Sequence, residues 1–291
     1  MTYSIIIPNY NGKHLLAKNL PKVLAECSRT RATCNEIIIV DDASEDGSAD
    51  WVEGYCQGTD SLPARVIVLE NTRNLGFSST VNKGVLRATG DIVVLLNTDT
   101  RPEKGYLSAA FPRFHNESLF GVGFMDKSIE HDHVVYRGRG IGWWERGMFI
   151  HRRGAVDQPD TSWISGGSCA IRRSMFLELK GFNEIYNPFY WEDIDLSYRA
   201  LRAGYSLWFE SGSVVVHEHE EGSIQTKYSS RDITRIAYRN QFMFIWRNAT
   251  FMQFLKHLMW LPYHAMRAGL RGDVLFFTGY VDAVVRLMTY R

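Results

Sequence analysis

The sequence has 291 residues, of which 45% are hydrophobic and 22% charged, with a formal net charge of +1. These values fit a globular protein with one large or two small cores. No charge-free apolar stretch approaches the roughly 20 residues that a membrane-spanning helix needs. Residues 4–7 form an apolar run that is too short for a signal peptide. The four cysteines form no CxxC pair, which is typical of reduced thiols in a cytosolic protein.

Strands and helices alternate regularly over the first hundred residues. Apolar, β-branched runs predict strands at 3–7, 36–40, 65–69 and 91–96, and amphipathic runs predict helices at 14–27, 46–55 and 78–88. Continuous apolar strands between helices are buried on both faces, so we expect an α/β fold with a doubly wound, parallel sheet. Ligands bind such sheets beyond the carboxyl ends of the strands. Polar clusters follow three of these four strands, which places a candidate site there.

The middle of the chain, residues 120–163, has no regular periodicity. Four glycines at 138, 140, 142 and 147 flank the pair Trp143-Trp144. This pattern predicts a mobile loop region that carries aromatic side chains. Beyond it, we expect a helix at 192–203 and two strands at 205–209 and 213–216, the second running into His217.

The C-terminal part differs in charge from the rest of the chain. Residues 224–291 contain ten Lys and Arg against three Asp and no Glu, a formal charge of +7, and the remainder carries −6. Arg231, Arg235 and Arg239 are four apart and share one helical face. We therefore predict a helical tail with one basic and one apolar side, which would meet an anionic partner.

Asn97-Thr98-Asp99 follows the fourth predicted strand. A carboxylate at the end of a buried strand must be solvated, paired or bound to a metal. Mg²⁺ and Mn²⁺ prefer oxygen ligands and commonly bridge to substrate phosphates, so Asp99 is a candidate metal ligand, with an ordinary polar turn as the alternative. His217 closes another strand. Its neutral imidazole is a candidate second ligand, and a solvated strand end is the alternative.

Carboxylates cluster at the start of the helix at 192–203. Glu192, Asp193 and Asp195 are favoured there by the helix dipole, by about 0.3–1 kcal/mol each, which is the structural explanation. The preceding residues 189–191 are all aromatic. An apolar rim raises the proton affinity of a carboxylate and suits it to act as a general base.

The pair Asp41-Asp42 follows the second strand, and residues 41–48 contain a good N-cap for the next helix. A carboxylate of the pair is also a candidate to accept hydrogen bonds from a nucleobase or ribose, and both interpretations can hold because adjacent carboxylates point in different directions. Neither GxGxxG after the first strand nor GxxxxGK[ST] occurs in the sequence. Their absence argues against a dehydrogenase or P-loop enzyme and makes a metal more necessary for holding a diphosphate.

Several segments together resemble a known family. They are SIIIPNYNG, EIIIVDDASEDGS, LGFSSTVNKG, LLNTDT, SGGSCAIRR, GFNE and WEDIDLSYRALRAGY, followed by His217. In this order and spacing they resemble family-2 glycosyltransferases of the GT-A fold, in particular the bacterial rhamnosyltransferase-like branch. The resemblance implies a catalytic domain at 1–223, with a nucleotide-sugar half at about 1–100 and an acceptor half at about 101–223. Residues 224–291 would form the helical tail.

The resemblance also implies roles for individual residues. Contacts with the nucleotide or sugar donor are implied for Pro8, Tyr10, Asn11, Asp42, Gly76, Asn82, Asn97 and Thr98. Asp99 and His217 would bind Mg²⁺ or Mn²⁺, Asp193 would be the catalytic base beside Glu192, and Trp191, Gly166 and Gly167 would meet the acceptor. The first position of the family's DxD motif is Asn97 here, so whether the metal is essential stays open.

The implied reaction is an inverting, single displacement from a nucleotide-diphosphate sugar to a hydroxyl. The NxD variant favours dTDP-rhamnose, with a UDP-sugar as the other donor, and the acceptor would be a saccharide or a lipid-linked acceptor in surface polysaccharide synthesis. The tail would lie on the anionic inner face of the plasma membrane, and a packed lid or a homodimer interface are the alternatives. We expect no nucleic-acid partner.

Two other functions are weighed against transfer. A nucleotidyltransferase would carry a GxGxR-type loop after the first strand, and PNYNG lacks it. A non-catalytic sugar-nucleotide-binding module would not need both Asp99 and Asp193.

Overall fold

One large sheet with helices on both faces forms the body of the chain. The computed structural model describes residues 1–130, 133–217 and 227–290. The strands of this sheet are β1 (Thr2–Asn9), β2 (Thr33–Asp41), β3 (Arg65–Glu70), β4 (Ile92–Leu96), β5 (Thr100–Pro102), β6 (Leu119–Glu130), β7 (His133–Arg137), β10 (Ser168–Arg172) and β11 (Ser206–His217). A separate hairpin consists of β8 (Gly140–Glu145) and β9 (Met148–Arg153).

Helices cover the sheet and continue into the C-terminal part. They are α1 (Lys13–Cys27), α2 (Ser48–Gln57), α3 (Phe77–Arg87), α4 (Tyr106–Ala110), α5 (Arg173–Glu178), α6 (Glu192–Arg202), α7 (Ser230–Asn248), α8 (Phe251–Leu270) and α9 (Val274–Thr289). Among the described residues, none of these helices has the length and apolar character of a membrane span.

The order of the strands confirms the predicted, mostly parallel α/β sheet. It runs β3-β2-β1-β4-β10-β6-β11-β5, and β7 pairs with β6. Strands β3, β2, β1 and β4 are parallel to one another, and β11 is parallel to β6. Strand β10 runs antiparallel between β4 and β6. The predicted strands and helices of residues 1–96 are all present.

Alternate residues of β1 divide the interior into two cores. Ile5 and Ile7 pack with α1 and α2 on one face, and Ile6 packs with Val81 and Val85 of α3 on the other. Each such side chain contributes about 1.5–3 kcal/mol when it is fully buried. Because β1, β2 and β4 are parallel, the residues that follow them emerge at one edge of the sheet.

The prediction of a mobile loop at 120–163 is wrong. This region forms strands β6 to β9. Glycines concealed the pattern because they replace apolar side chains where neighbours approach closely: a Cβ on Gly121 would lie 2.5 Å from Ile164 Cδ1, and one on Gly140 would lie 2.3 Å from the ring of Trp163.

The two strands predicted at 205–209 and 213–216 are a single strand, β11. Its pairing with β6 shifts register between Glu210 and Val214. Such an irregularity breaks the alternation of side chains, which is why the sequence suggested two strands. The strand ends at His217, as predicted.

The C-terminal region is helical, as predicted, and α7 packs into the body of the chain. Phe242 and Phe244 of α7 share a core with Trp191 and Ile194 beside the predicted base. Arg235 faces Asp282, whereas the Arg239 guanidinium is directed inward. The predicted basic face is therefore divided. The proposed boundary at 223/224 lies outside the described residues.

Candidate active site

A cavity of about 320 Å³ lies at the carboxyl ends of β1 and β4. Twelve of the fifteen predicted site residues line it: Pro8, Tyr10, Asp42, Gly76, Asn97, Thr98, Asp99, Gly166, Gly167, Glu192, Asp193 and His217. These residues come from widely separated segments. Their convergence at one place agrees with the expectation that a parallel sheet binds ligands beyond its strand ends.

Three predicted residues lie elsewhere. Asn82 ties α3 to the loop at Phe182, because its Oδ1 accepts from Phe182 N at 2.9 Å and its Nδ2 donates to Phe182 O at 2.9 Å. Asn11 accepts from Glu45 N at 2.8 Å in an exposed turn. Trp191 is only 4% exposed and packs among aromatic rings, so its side chain does not face the cavity.

The cavity wall also contains residues that the sequence did not single out. Lys227 and Tyr228 come from the segment just before α7. The Lys227 ammonium lies 4.3 Å from the ring centroid of Tyr10, and Tyr228 packs on Phe189. Aromatic residues 189–190 were noted only as a rim of the base. The sequence signal that could have identified Lys227 and Tyr228 is a basic residue next to an aromatic one, ten residues after His217.

Asp42 lies in the wall of the cavity and holds the neighbouring loop by hydrogen bonds. Its Oδ1 accepts from Asn71 Nδ2 at 2.7 Å and Leu75 N at 2.8 Å, and its Oδ2 accepts from Gly76 N at 2.9 Å. The carboxylate is 4% exposed. Asp42 therefore fixes the loop that enters α3. Within the segment 41–48 it is Asp46 that bonds the start of α2, because its Oδ1 accepts from Ser48 N at 3.0 Å.

The segment that carries Asn97 is held against a glycine pair. Asn97 N donates to Gly167 O at 2.9 Å, and a Cβ on Gly167 would lie 2.5 Å from Asn97 Nδ2. Asn19 Nδ2 in turn donates to Thr98 O at 2.8 Å. These contacts set the position of Asp99, which follows directly.

Asp99 and His217 meet in the cavity wall. His217 Nε2 lies 3.1 Å from Asp99 Oδ1, and Nδ1 lies 3.2 Å from Asp126 Oδ2. Ser128 Oγ donates to the other oxygen of Asp126 at 3.1 Å. Burial lowers the pKa of His217, but the carboxylates of Asp126 and Asp99 outweigh it and raise the pKa to about 10. Asp126, a lone carboxylate in β6, gave no signal in the sequence.

The Asp99–His217 pair can hold a divalent cation if the cation replaces the imidazole proton that faces Asp99. Two neighbouring ligands of an octahedral ion with bonds of about 2.1 Å stand about 3 Å apart, close to the 3.1 Å that separates Oδ1 and Nε2. Asp99 Oδ1 is buried, and apart from its approach to the His217 ring the described residues give it no hydrogen-bond partner. Among those residues no third His, Cys, Asp or Glu side chain completes a metal cluster, so phosphate oxygens and water would supply the other ligands.

Glu192 and Asp193 are two adjacent carboxyl groups with different proton affinities. Burial raises the pKa of Asp193 from 3.8 to about 6, against the lowering effect of backbone donors that include Ile194 N. Burial, and then the charge of Asp193, raise the pKa of Glu192 well above its usual value. At neutral pH Asp193 is therefore mostly ionised and can accept a proton, and Glu192 binds a proton more tightly than a free glutamate does.

Comparisons with known proteins agree with this geometry. The family model described as glycosyl transferase family 2 matches residues 4–180. The pre-mycofactocin glycosyltransferase of Mycobacterium tuberculosis is 26% identical over 188 residues, which cover 63% of this chain and 37% of that protein. The dolichol-phosphate mannosyltransferase of Saccharomyces cerevisiae is 32% identical over 142 residues, covering 46% and 50%. The chain thus spans half or less of the length of these two relatives.

Solved structures share the fold at low identity. GalNAc-T7 in complex with UDP, GalNAc and Mn²⁺ superimposes with a TM-score of 0.66 at 19% identity, covering 84% of this chain and 47% of that one. The mannosyltransferase PcManGT from Pyrobaculum calidifontis, in complex with GDP-Man and Mn²⁺, gives a TM-score of 0.61 at 16% identity, covering 99% and 76%.

Proposed function

The chain belongs to glycosyl transferase family 2, and we propose that it is an inverting glycosyltransferase. It moves a hexosyl or deoxyhexosyl group from a nucleotide-diphosphate sugar to a hydroxyl of a saccharide or lipid-linked acceptor. The observation that carries the proposal is that Asp193, with its raised pKa, and the Asp99–His217 pair line one cavity. A base and a site for a diphosphate are the two groups that a single displacement requires.

Asp193 acts as the general base in this proposal. It takes the proton of the acceptor hydroxyl as that oxygen bonds to C1 of the sugar, and the C1–oxygen bond to the diphosphate breaks in the same step. The sugar is bonded to the acceptor with inverted configuration at C1, and the nucleoside diphosphate is the leaving group. Glu192, which is 6% exposed, lies beside the base, and burial together with the charge of Asp193 raises its pKa.

Asp99 and His217 would hold the divalent cation, Mg²⁺ or Mn²⁺, in the same cavity. A bound cation would supply positive charge next to the departing diphosphate. Two structural neighbours contain Mn²⁺ with UDP or with GDP-Man, which supports this choice. Lys227 is a further positive charge at the rim of the cavity.

The donor side of the cavity is assigned to Pro8, Tyr10, Gly76, Asn97 and Thr98. The ring of Tyr10 offers a face for the nucleobase, and Lys227 covers one side of it at 4.3 Å. The resemblance to the rhamnosyltransferase-like branch favours dTDP-rhamnose over a UDP-sugar. Gly166 and Gly167 face the same space and leave room for the acceptor.

A lipid-linked acceptor is supported by the relatives and by the surface of the tail. Besides the yeast enzyme, the undecaprenyl-phosphate 4-deoxy-4-formamido-L-arabinose transferase of Edwardsiella ictaluri is 33% identical over 171 residues, covering 58% of this chain and 47% of that protein. Both names contain a polyprenyl phosphate. We therefore place this protein in surface polysaccharide synthesis at the cytoplasmic face of the plasma membrane.

Helices α8 and α9 would provide the contact with an anionic membrane. Both helices expose many apolar side chains, here called the apolar stripe: Phe251, Met252, Leu255, Leu258, Met259, Trp260, Met266 and Leu270 on α8, and Val274, Phe277, Val281, Val285, Leu287 and Met288 on α9. Lys256, Arg267 and Arg271 are exposed near this stripe. An apolar helix face with basic residues is typical of binding to anionic lipid.

Sedimentation with vesicles tests the membrane contact. The protein should bind vesicles that contain an anionic phospholipid at low salt, bind less at high salt, and leave vesicles of pure phosphatidylcholine largely unoccupied. A variant with Leu255→Glu and Met259→Glu should lose this binding. If the variant binds vesicles as the wild type does, the apolar stripe does not contact the membrane. If the wild-type chain is a dimer that the two substitutions dissociate, the stripe is a dimer interface instead.

Donor transfer is tested in two stages. Thermal shifts with UDP-, dTDP- and GDP-sugars, each with Mg²⁺ or Mn²⁺, identify the nucleotide that stabilises the protein. Release of the nucleoside diphosphate from that donor is then measured with wild type and with Asp193→Asn. Loss of release with nucleotide binding retained supports the base, and retained release overturns it. The same experiment separates transfer from a binding module, which releases nothing, and from a nucleotidyltransferase, which releases pyrophosphate.

A further inference from the structure

The backbone just before the candidate base is held by two side chains of α7. Asn240 is completely buried. Its Nδ2 lies 2.8 Å from Tyr186 O, 2.9 Å from Phe189 O and 2.8 Å from Tyr190 O. The two N–H groups of one amide therefore serve three carbonyls, all within seven residues of Asp193.

Arg239 completes this arrangement from the same helix. Its Nη2 donates to Asn187 O at 2.7 Å and to Tyr186 O at 3.3 Å, and its Nε donates to Asn240 Oδ1 at 2.9 Å. The last bond fixes the amide of Asn240 with its N–H groups toward the carbonyls. Together the two residues are here called the α7 clamp. They satisfy the carbonyl groups of four residues: 186, 187, 189 and 190.

The clamped segment is backbone that needs external support. Tyr190 and Trp191 have φ of 69° and 78°, a region that costs a non-glycine residue of the order of 1 kcal/mol or more. The N-cap residue of α6 is Trp191, whose side chain makes no capping hydrogen bond to the first turn. The start of this helix is therefore positioned by what precedes it.

The other side of the segment contacts the donor half. Asn187 Nδ2 donates to Leu75 O and to Ser79 Oγ, both at 2.8 Å, and Asn187 Oδ1 accepts from Ser78 N at 3.1 Å. The segment thus bridges the loop at Gly76, which lines the cavity, and α7. Contacts on both sides hold it in one place.

We propose that Asn240 and Arg239 are positioning residues for catalysis: by holding the backbone of residues 186–190, they place the Asp193 carboxylate against the acceptor hydroxyl. The clamp touches neither donor nor acceptor. Its role in turnover rests on the proposed role of Asp193, but its effect on the backbone does not. Loosening the clamp should lower kcat and leave nucleotide affinity nearly unchanged, because the Asn187 side chain still holds the loop at Gly76 and the other donor-side residues come from other segments.

The test uses Asn240→Ala, Arg239→Lys and the control Gln241→Ala in the full chain. Gln241 is also on α7 and donates from Nε2 to Phe149 O at 3.0 Å, so the control removes a similar bond that does not reach the segment. Arg239→Lys keeps the charge but loses the planar fork, and it serves if Asn240→Ala does not fold.

Hydrogen exchange of the 186–195 peptide is the first measurement. Its amides should exchange at least about tenfold faster in the clamp variants and at the wild-type rate in the control. The second measurement is turnover with the donor identified by thermal shift. We expect kcat to fall about 10- to 100-fold, as for displaced catalytic groups, with the Kd of the nucleoside diphosphate within twofold.

These measurements test separately whether the clamp holds the backbone of residues 186–190 and whether that hold matters for catalysis. Faster exchange with normal kcat overturns the positioning role. Equal exchange in Arg239→Lys and wild type overturns the clamp itself. Faster exchange in Gln241→Ala as in the clamp variants reduces the effect to general stability of α7 and also overturns it. If Asp193→Asn keeps full turnover, the base assignment fails, and exchange of the peptide still reports whether the clamp holds this backbone.

Discussion

Replacement of Asp193 by Asn should abolish transfer and stabilise the protein at the same time. Burial raises the pKa of Asp193 from 3.8 to about 6. A difference of about two pKa units corresponds to about 3 kcal/mol between the charged and neutral forms. Part of this gain is lost because a neutral amide oxygen accepts a weaker hydrogen bond from Ile194 N, so we expect about 1–3 kcal/mol.

The sign of the effect depends on pH. Folded Asp193 binds its proton more tightly than the unfolded chain does, so its contribution to stability is present below about pH 4 and is lost as pH rises through about 6. Asn does not titrate. The variant should therefore match the wild type at low pH and become more stable than the wild type as pH rises, reaching the full difference above about pH 7.

Urea unfolding of both proteins at several pH values between about 4.5 and 8 measures this difference. Asp195→Asn is the contrasting control. Asp195 is buried and accepts from Arg199 Nε and Asn248 Nδ2, each at 2.7 Å, so its neutralisation should destabilise the protein. A constant difference across pH, or a less stable Asp193→Asn at about pH 8, would refute the reasoning. Wild-type kcat/KM should in parallel decline below about pH 6 as the base becomes protonated.

Three further changes address the donor side. Asp99→Ala should weaken Mn²⁺-dependent binding of UDP or dTDP at least about tenfold, and equal calorimetric affinity with and without Mn²⁺ in both proteins would contradict the metal site. Asp126→Asn should lower Mn²⁺ affinity about 10- to 100-fold by releasing His217, measured by Mn²⁺ EPR with the same nucleotides; wild-type affinity would show that Asp126 does not orient the imidazole. Gly167→Ala should displace Asn97, whose Nδ2 would lie 2.5 Å from the new Cβ, and reduce nucleotide affinity without a large fall in Tm; unchanged affinity would show that Asn97 can move without consequence.

The sheet and the main site residues follow from local sequence signals. Strands β1, β2 and β4 are continuous apolar runs that end in polar residues, and a parallel arrangement brings those ends together. The strand-end signals therefore bring Asp42 and Asp99 together, whereas Asp193, at the start of a helix, was assigned to the same site by the family resemblance. Asp42 also holds the loop at Gly76 through Oδ2, a contact that no sequence signal indicated.

The missing parts of the prediction depend on contacts between distant residues. Glycines that allow Ile164 and Trp163 to approach the sheet also removed the alternation that identifies β6 and β8. Asp126 lies 91 residues from His217, and no pattern near either residue links the two. Trp191 looked like an acceptor platform because it is aromatic and next to the base, yet an apolar ring beside a core is buried more readily than it is exposed.

The three C-terminal helices have two proposed roles, positioning of the base and contact with the membrane, and different helices serve each. Helix α7 turns Asn240 and Arg239 inward to the segment before Asp193, while α8 and α9 leave their apolar stripes outside. Substitutions in the clamp should therefore lower kcat on any acceptor, whereas substitutions of Leu255 and Met259 should affect only acceptors held in vesicles. Because Phe242 of α7 packs on Phe276 of α9 with ring centroids 5.2 Å apart, the two sets of helices share a core. Removal of α8 and α9 together would consequently expose that core and disturb the base, so point substitutions, rather than truncation, separate membrane contact from catalysis.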